Sequence, residues 1–208
     1  MSSNYQEYGY QSSEPGWAHS YLLPQIRAML GKPGETILDL GCGNGAIARA
    51  LLAEGYDVYG VDASVSGITM ANAEAPGRFF VLDVQLGELP LELAGKRFDV
   101  VISTEVIEHL YDPRGFVAFV RRILGADGEG QFIVSTPYHG YLKNVALAVT
   151  GKLEGHFTVL WDGGHIKFFS RATLEQILRE QGFTVTGFAG VGRWPYLWKS
   201  MLVKARVV

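Results

Sequence analysis

Residues 37–45 read Ile-Leu-Asp-Leu-Gly-Cys-Gly-Asn-Gly, and Ala46-Ile47-Ala48-Arg49 follows at once. A short apolar run that meets a glycine at every second position and passes straight into helix-forming residues is a strand–turn–helix joint. It leaves few folds open to the chain. Gly41, Gly43 and Gly45 permit backbone dihedrals closed to other residues and let the main chain approach a ligand where a Cβ would clash. The unpaired N–H groups of the new helix lie at the same point. Turns of this kind in dinucleotide-binding folds aim a helix N-terminus at a pyrophosphate. Asp39 does not suit that role, because a carboxylate beside the turn repels phosphate. It suits a cationic ligand.

The next segments repeat the pattern. A second strand over 57–61 ends in Asp62, 17 residues past Gly45, where an acidic residue often holds a ribose diol. A third strand over 79–82 ends in Asp83, placed to accept from an adenine amino group. A fourth, over 98–103, runs into Thr104-Glu105. Each polar residue closes a parallel strand, the end at which open α/β sheets bind ligands. Helices are predicted over 17–30, 45–54, 65–75, 113–124, 142–150 and 171–180. Asp112-Pro113 and Ser170 serve as start signals. A fifth strand is predicted over 131–135, and a terminal antiparallel pair over 183–190 and 198–206. The expected fold is α/β: a Rossmann-like, seven-stranded, mostly parallel sheet with one antiparallel edge strand and helices on both faces. One domain over 1–208 is expected, made of an arm and helix (1–34), a cofactor half (35–136), an insertion (137–167) and a C-terminal helix with a strand pair (168–208).

These stretches (37–45, 58–62, 81–84 and 98–110) resemble the class I S-adenosylmethionine-dependent methyltransferases. The resemblance implies that S-adenosylmethionine, which carries an ammonium and a sulfonium but no phosphate, lies against Asp39, Gly41, Cys42, Gly43, Asp62, Ala63, Asp83, Val84, Thr104 and Glu105. Gly41 and Gly43 would line its methionine part, Asp62 would bind the ribose, and Asp83 with Val84 the adenine.

Glu105, Glu108 and His109 follow the fourth strand at spacing i, i+3, i+4, which places all three on one face if the segment is helical. Two carboxylates and an imidazole together can hold a divalent cation, and His165 could add a fourth ligand. The bland alternative is a histidine that packs, caps or touches the cofactor. The Glu-x-x-Glu-His element, with His165-Ile166-Lys167-Phe168-Phe169-Ser170-Arg171 further on, resembles the small-RNA 2′-O-methyltransferases. The ubiquinone-biosynthesis O-methyltransferases share the first element. That resemblance implies a divalent metal (Mg, Mn, Fe or Zn) on Glu105, Glu108, His109 and His165, with His109, His165 and Glu105 as the catalytic group.

The insertion after the fifth strand is too aromatic for a disordered loop, so it is expected to wall the substrate. His139 and His156 within it read as packing residues, and His19 as a packing residue or a cofactor or substrate contact. The stretch from Trp194 to Trp198 reads as core, with an apolar lid as the alternative. Tyr5, Tyr8 and Tyr10 belong to an arm that either frays or folds over a ligand.

The net charge of −3 argues against a nucleic-acid partner, which favours a basic face, and so against the RNA substrate. The one cysteine, Cys42, fits a reducing compartment and reads as a buried filler. No signal peptide is read, and no apolar run reaches the roughly 20 residues that span a bilayer. Only peripheral membrane contact stays open, and a cytoplasmic location is expected. The function expected is O-methylation of a small catechol-like or vicinal-diol metabolite, with or without a divalent metal. Two alternatives stay open: a metal-independent N- or C-methyltransferase with a histidine base, and a non-catalytic cofactor-binding partner protein.

Overall fold

The computed structural model describes residues 7, 9–125, 128–157, 160–161 and 163–208, Leu86 by its backbone only. Tyr5 and Tyr8 of the arm and Asp162 of the insertion lie outside the described residues. One sheet organises the chain, with strands β1 (Thr36–Leu40), β2 (Asp57–Asp62), β3 (Phe79–Val81), β4 (Val100–Thr104), β5 (Gln131–Pro137), β6 (Phe183–Val191) and β7 (Ser200–Val207) in the order β3-β2-β1-β4-β5-β7-β6. Helices α1 (His19–Met29), α2 (Ala46–Ala53), α3 (Val65–Glu74), α4 (Pro113–Leu124), α5 (Tyr141–Val149), α6 (Leu153–Phe157) and α7 (Arg171–Glu180) fill the connections. None is long and apolar enough to cross a membrane.

The expected fold class stands, with one refinement of position. The reversed strand is β7, which pairs antiparallel with both β5 and β6. The crossover through α7 carries β6 to the edge in the parallel sense. The β6–β7 hairpin then turns back into the gap, so the antiparallel strand lies one place inside the edge.

Strand periodicity builds two cores. Val100, Ile102, Ile133 and Leu202 face one layer, with Leu22, Ile26 and Leu51 from α1 and α2. Val101, Phe132, Val134, Met201 and Val203 face the other, with Phe116, Val120, Leu174 and Leu178 from α4 and α7. Both faces of the central strands are covered, as parallel sheets require. Helix starts follow the local signals. Asp112 accepts from Gly115 N at 2.9 Å ahead of Pro113, and Ser170 and Thr173 form a capping box at α7. The strand order reverses between β1 and β4, the crevice that such sheets use for ligands. Ser103 Oγ donates to Leu40 O there at 2.8 Å.

Candidate functional site

The glycine turn stands as expected between β1 and α2. Gly41, Gly43 and Gly45 take φ values of 81°, 54° and 73°, a region costly for any residue with a Cβ. A Cβ on Gly45 would meet Ala71 and Phe79, so this glycine serves helix–strand packing. A Cβ on Gly43 would meet the Tyr10 hydroxyl, since the N-terminal arm crosses the turn. Asn44 Nδ2 donates to Ser12 O (2.8 Å) and Glu14 O (3.0 Å), and Arg49 donates to Ser13 O. Glu7 accepts from Ser64 Oγ, from Ser66 Oγ at 2.7 Å and from Val65 N at 3.0 Å. These bonds, Ser64 and then Ser66 foremost, hold its carboxyl down at about 2.

Asp39 is buried, and its Oδ1 has no hydrogen-bond partner among the described residues. Burial, and then the charge of Asp62, push its carboxyl up to about 8. A buried acceptor with no donor is costly, and a cationic ligand would supply the donor. Asp62 accepts from Gly43 N (2.8 Å) and Ser64 N (2.7 Å); burial raises its carboxyl. Asp83 caps a short 3₁₀ turn through Gln85 N at 2.9 Å, with Val84 buried beside it. Cys42 is buried, and burial, then Asp39 and Asp62, push its thiol well up, as an inert filler requires.

The acceptor side departs from the helical spacing reading. Glu105 sits at φ 55°, a left-handed turn at the end of β4, and only Ile107–His109 form a 3₁₀ turn. Glu105 therefore leaves the face shared by Glu108 and His109. Its carboxylate accepts from Ser135 Oγ (2.8 Å) and Ser200 Oγ (3.0 Å). Burial drives it up to about 7, opposed by those two bonds and by Lys143. Glu108 is fully buried. Its Oε2 accepts from Thr136 Oγ1 at 3.0 Å, and its Oε1 has no hydrogen-bond partner among the described residues. Burial first, then the Glu105 charge, pushes it well up.

The compact group is Glu108, His109 and His165, with one potential ligand atom from each lying within 4.8 Å of the others. His109 Nδ1 meets the carbonyls of Gly163 (2.8 Å) and Gly164 (3.2 Å). Carbonyls only accept, so Nδ1 carries a proton, and in the neutral ring this leaves the Nε2 lone pair for a ligand. That Nε2 lies 3.9 Å from Glu108 Oε1. Ile166 N and Lys167 N both donate to Glu108 O at 3.0 Å and bring the insertion's end to this point. The His165 ring is 4.9 Å from that of His109. Burial, then His109, holds its imidazole down at about 4. An unpaired buried carboxylate oxygen beside two imidazoles fits a divalent cation.

Other expectations fare unevenly. His139 is buried against Phe157 and Phe168, as a packing residue would be. His19 opens α1 half-buried, and burial lowers its imidazole. The stretch from Trp194 is not core as a whole. Trp194 (82%), Tyr196 (58%) and Leu197 (40%) are exposed at the β6–β7 hairpin, where a tight reversal leaves them no layer to enter. Trp198 alone packs inward, against Tyr138 and Phe188. Sequence reading missed Ser135, Thr136, Ser200 and Lys143. Lys143 alone carried a signal: it is the one charge in 141–149.

The family described as a methyltransferase domain matches residues 16–187. The ubiquinone biosynthesis O-methyltransferase of Azorhizobium caulinodans is 33% identical over 170 residues, covering 79% of this chain and 65% of that protein. The one from Cereibacter sphaeroides is 30% identical over 176 residues, covering 83% and 70%. The chain thus spans about two thirds of the length of these curated relatives. Among solved structures, the magnesium protoporphyrin IX methyltransferase of Synechocystis PCC 6803 with bound S-adenosylhomocysteine shares the fold. Its TM-score is 0.65 at 22% identity, covering 90% of this chain and 80% of that one.

Proposed function

The chain belongs to the class I S-adenosylmethionine-dependent methyltransferases, and from that premise we propose that it methylates a hydroxyl of a small catechol-like or vicinal-diol acceptor with the help of a divalent cation. The observation that carries this reading is the Glu108–His109–His165 group at the C-terminal end of the parallel strands, beside the cofactor turn. The names of the ubiquinone-pathway relatives support an oxygen acceptor. The net charge of −3 favours a small molecule over a nucleic acid.

On this reading Asp39 faces the cationic end of the cofactor, Asp62 the ribose and Asp83 with Val84 the adenine. Cys42, Ala63 and Thr104 complete the lining. The acceptor oxygen bonds to the methyl carbon as the carbon–sulfur bond breaks, and the electron pair returns to sulfur, giving S-adenosylhomocysteine. The oxygen must first shed its proton, and an unperturbed phenol has a pKa of about 10. A divalent cation held by Glu108, His109 and His165 would lower that value and orient a diol. Glu105 borders the acceptor as a carboxyl that titrates near neutrality.

The test is elemental analysis of purified protein together with methyl-transfer assays on a catechol panel, before and after chelation. One bound divalent ion per chain, activity lost to chelator and regained on adding metal, is the expected result. Glu108→Gln should lower both metal content and rate by at least about tenfold, since losing even a group that only orients a ligand costs about 10–100-fold. Undiminished turnover in excess chelator would sink metal assistance and give the proton to a histidine base.

A further inference from the structure

The N-terminal arm is fastened to two joints of the sheet, β1–α2 and β2–α3, and to neither apolar layer. No side chain from residues 9–14 enters either core. Asn44 lies within the glycine turn and is itself buried. Its Nδ2 donates twice into the arm, to Ser12 O at 2.8 Å and Glu14 O at 3.0 Å, while its Oδ1 accepts from Ala46 N at 3.3 Å. Arg49 of α2 takes the carbonyl between them, Ser13 O. Three consecutive arm carbonyls are thus held by the β1–α2 joint. The other end of the arm is held by the β2–α3 joint. Tyr10 N donates to Ser66 Oγ at 3.0 Å, and Glu7 accepts from Ser66 Oγ at 2.7 Å and Val65 N at 3.0 Å.

Between these fastenings the fold provides a seat for one side chain. The Tyr10 ring occupies the space that side chains on Gly43 and Gly67 would need. A Cβ on Gly43 would meet the Tyr10 hydroxyl, and one on Gly67 would meet Tyr10 Cδ2 at 3.0 Å and Gly43 O at 2.6 Å. Gly67 stands in the first turn of α3, where glycine is a poor helix former. That turn gives up helix propensity and gains room for the arm and the glycine turn. The two joints are also tied to each other, through Gly43 N and the Asp62 carboxylate at 2.8 Å. In the site as proposed they carry the methionine part of the cofactor at Gly43 and its ribose at Asp62, so an arm that bridges them lies across the cleft. Its fastenings are hydrogen bonds that water can replace, and it can lift without opening a core.

We propose that residues 9–14 are a strap across the S-adenosylmethionine cleft, seated by Tyr10, and that the strap lifts before S-adenosylhomocysteine can leave. This rests on the placement of the cofactor at Gly43 and Asp62 and adds a retention step to it. Tyr10 is then a positioning residue, which acts by keeping the cleft shut. Strap and cofactor hold each other: the closed strap slows escape, and the bound cofactor holds the strap down by the same factor.

Surface plasmon resonance on the immobilised 208-residue chain gives the association and release rates of S-adenosylhomocysteine. Tyr10→Ala should release it at least about tenfold faster, with association no slower, and Tyr10→Phe, which keeps the ring in its seat, should stay within about threefold of wild type. Release from Tyr10→Ala within about twofold of wild type overturns the strap, and so does faster release accompanied by a comparable loss of association rate, the mark of a damaged turn. A second readout is amide exchange in wild type. Bound S-adenosylhomocysteine should slow exchange in residues 9–14 at least about tenfold, which an arm of purely structural role would not show. Equal exchange with and without it overturns the proposal. Asp62→Asn separates the strap from the placement beneath it. At least about tenfold weaker binding in that variant upholds the placement, whatever Tyr10→Ala shows, and equal affinity sinks placement and strap together.

Discussion

At the scale of single residues, the site is organised by carboxyl groups buried ahead of the charges that would neutralise them. Asp39 shows the consequence for binding. Its ordinary value is 3.8 and the fold raises it to about 8, so it is largely protonated at pH 6. A cationic ligand favours the ionised form, and binding must release that proton. The affinity for S-adenosylmethionine should therefore rise from pH 5.5 to 7.5, by up to about tenfold per unit. Asp39→Asn should bind more weakly and with a flatter profile. Isothermal titration across that range checks both, and parallel slopes in wild type and variant would remove Asp39 from contact with the cation. The misreading of Glu105 has a plain cause. Spacing i, i+3, i+4 gathers side chains only on a helix, whereas this chain must first turn off the end of β4. Thr104 still belongs to β4, Glu105 turns at φ 55°, and the 3₁₀ turn starts only at Ile107. The Glu105 partners Ser135 and Ser200 are 30 and 95 residues away, and no local pattern announces such pairings.

At the scale of elements, what was legible was local. The Asp112-Pro113 start and the Ser170 cap place their helices to the residue, because caps are chemistry within one turn. Ser170→Ala should cost about 1 kcal/mol, read as a shift in the urea midpoint with unchanged slope. The inward turn of Lys143 on α5, whose Leu142, Val145 and Val149 stay exposed, was not legible, since an apolar stretch says nothing of which side faces in. The arm was half legible: its tyrosines hinted at a cover, but its anchor is Glu7 on the start of α3. That carboxyl is depressed from 4.5 to about 2, so its contribution is complete above pH 4.5 and lost as pH falls through about 2. Glu7 is exposed, so screening keeps the effect small. Glu7→Gln should raise amide exchange in residues 9–14 several-fold at pH 7 while leaving β1 and β4 protected; mass spectrometry reads both. Unchanged exchange would show that Asn44 and Arg49 suffice.

At the scale of the whole molecule, the two apolar layers share the same central strands, so damage to one is felt globally. Phe132 is fully buried between Phe116 and Phe183. Phe132→Ala should lower unfolding free energy by about 3–5 kcal/mol, measured by chemical denaturation, and weaken the site only as the fold weakens. Helices on both faces of a mostly parallel sheet were legible from the order of the elements, whereas the slot taken by β7 was not, because pairing order depends on which gap the crossover leaves. That slot has a consequence for birth of the protein. As the nascent chain leaves the ribosome, residues through 199 present β5 and β6 with facing backbone edges unfilled. Only when β7 emerges are they closed, and only then does Ser200 reach Glu105. β7 is therefore the keystone of both sheet and pocket, and a chain released from synthesis before this strand would keep two unpaired backbone edges open to aggregation.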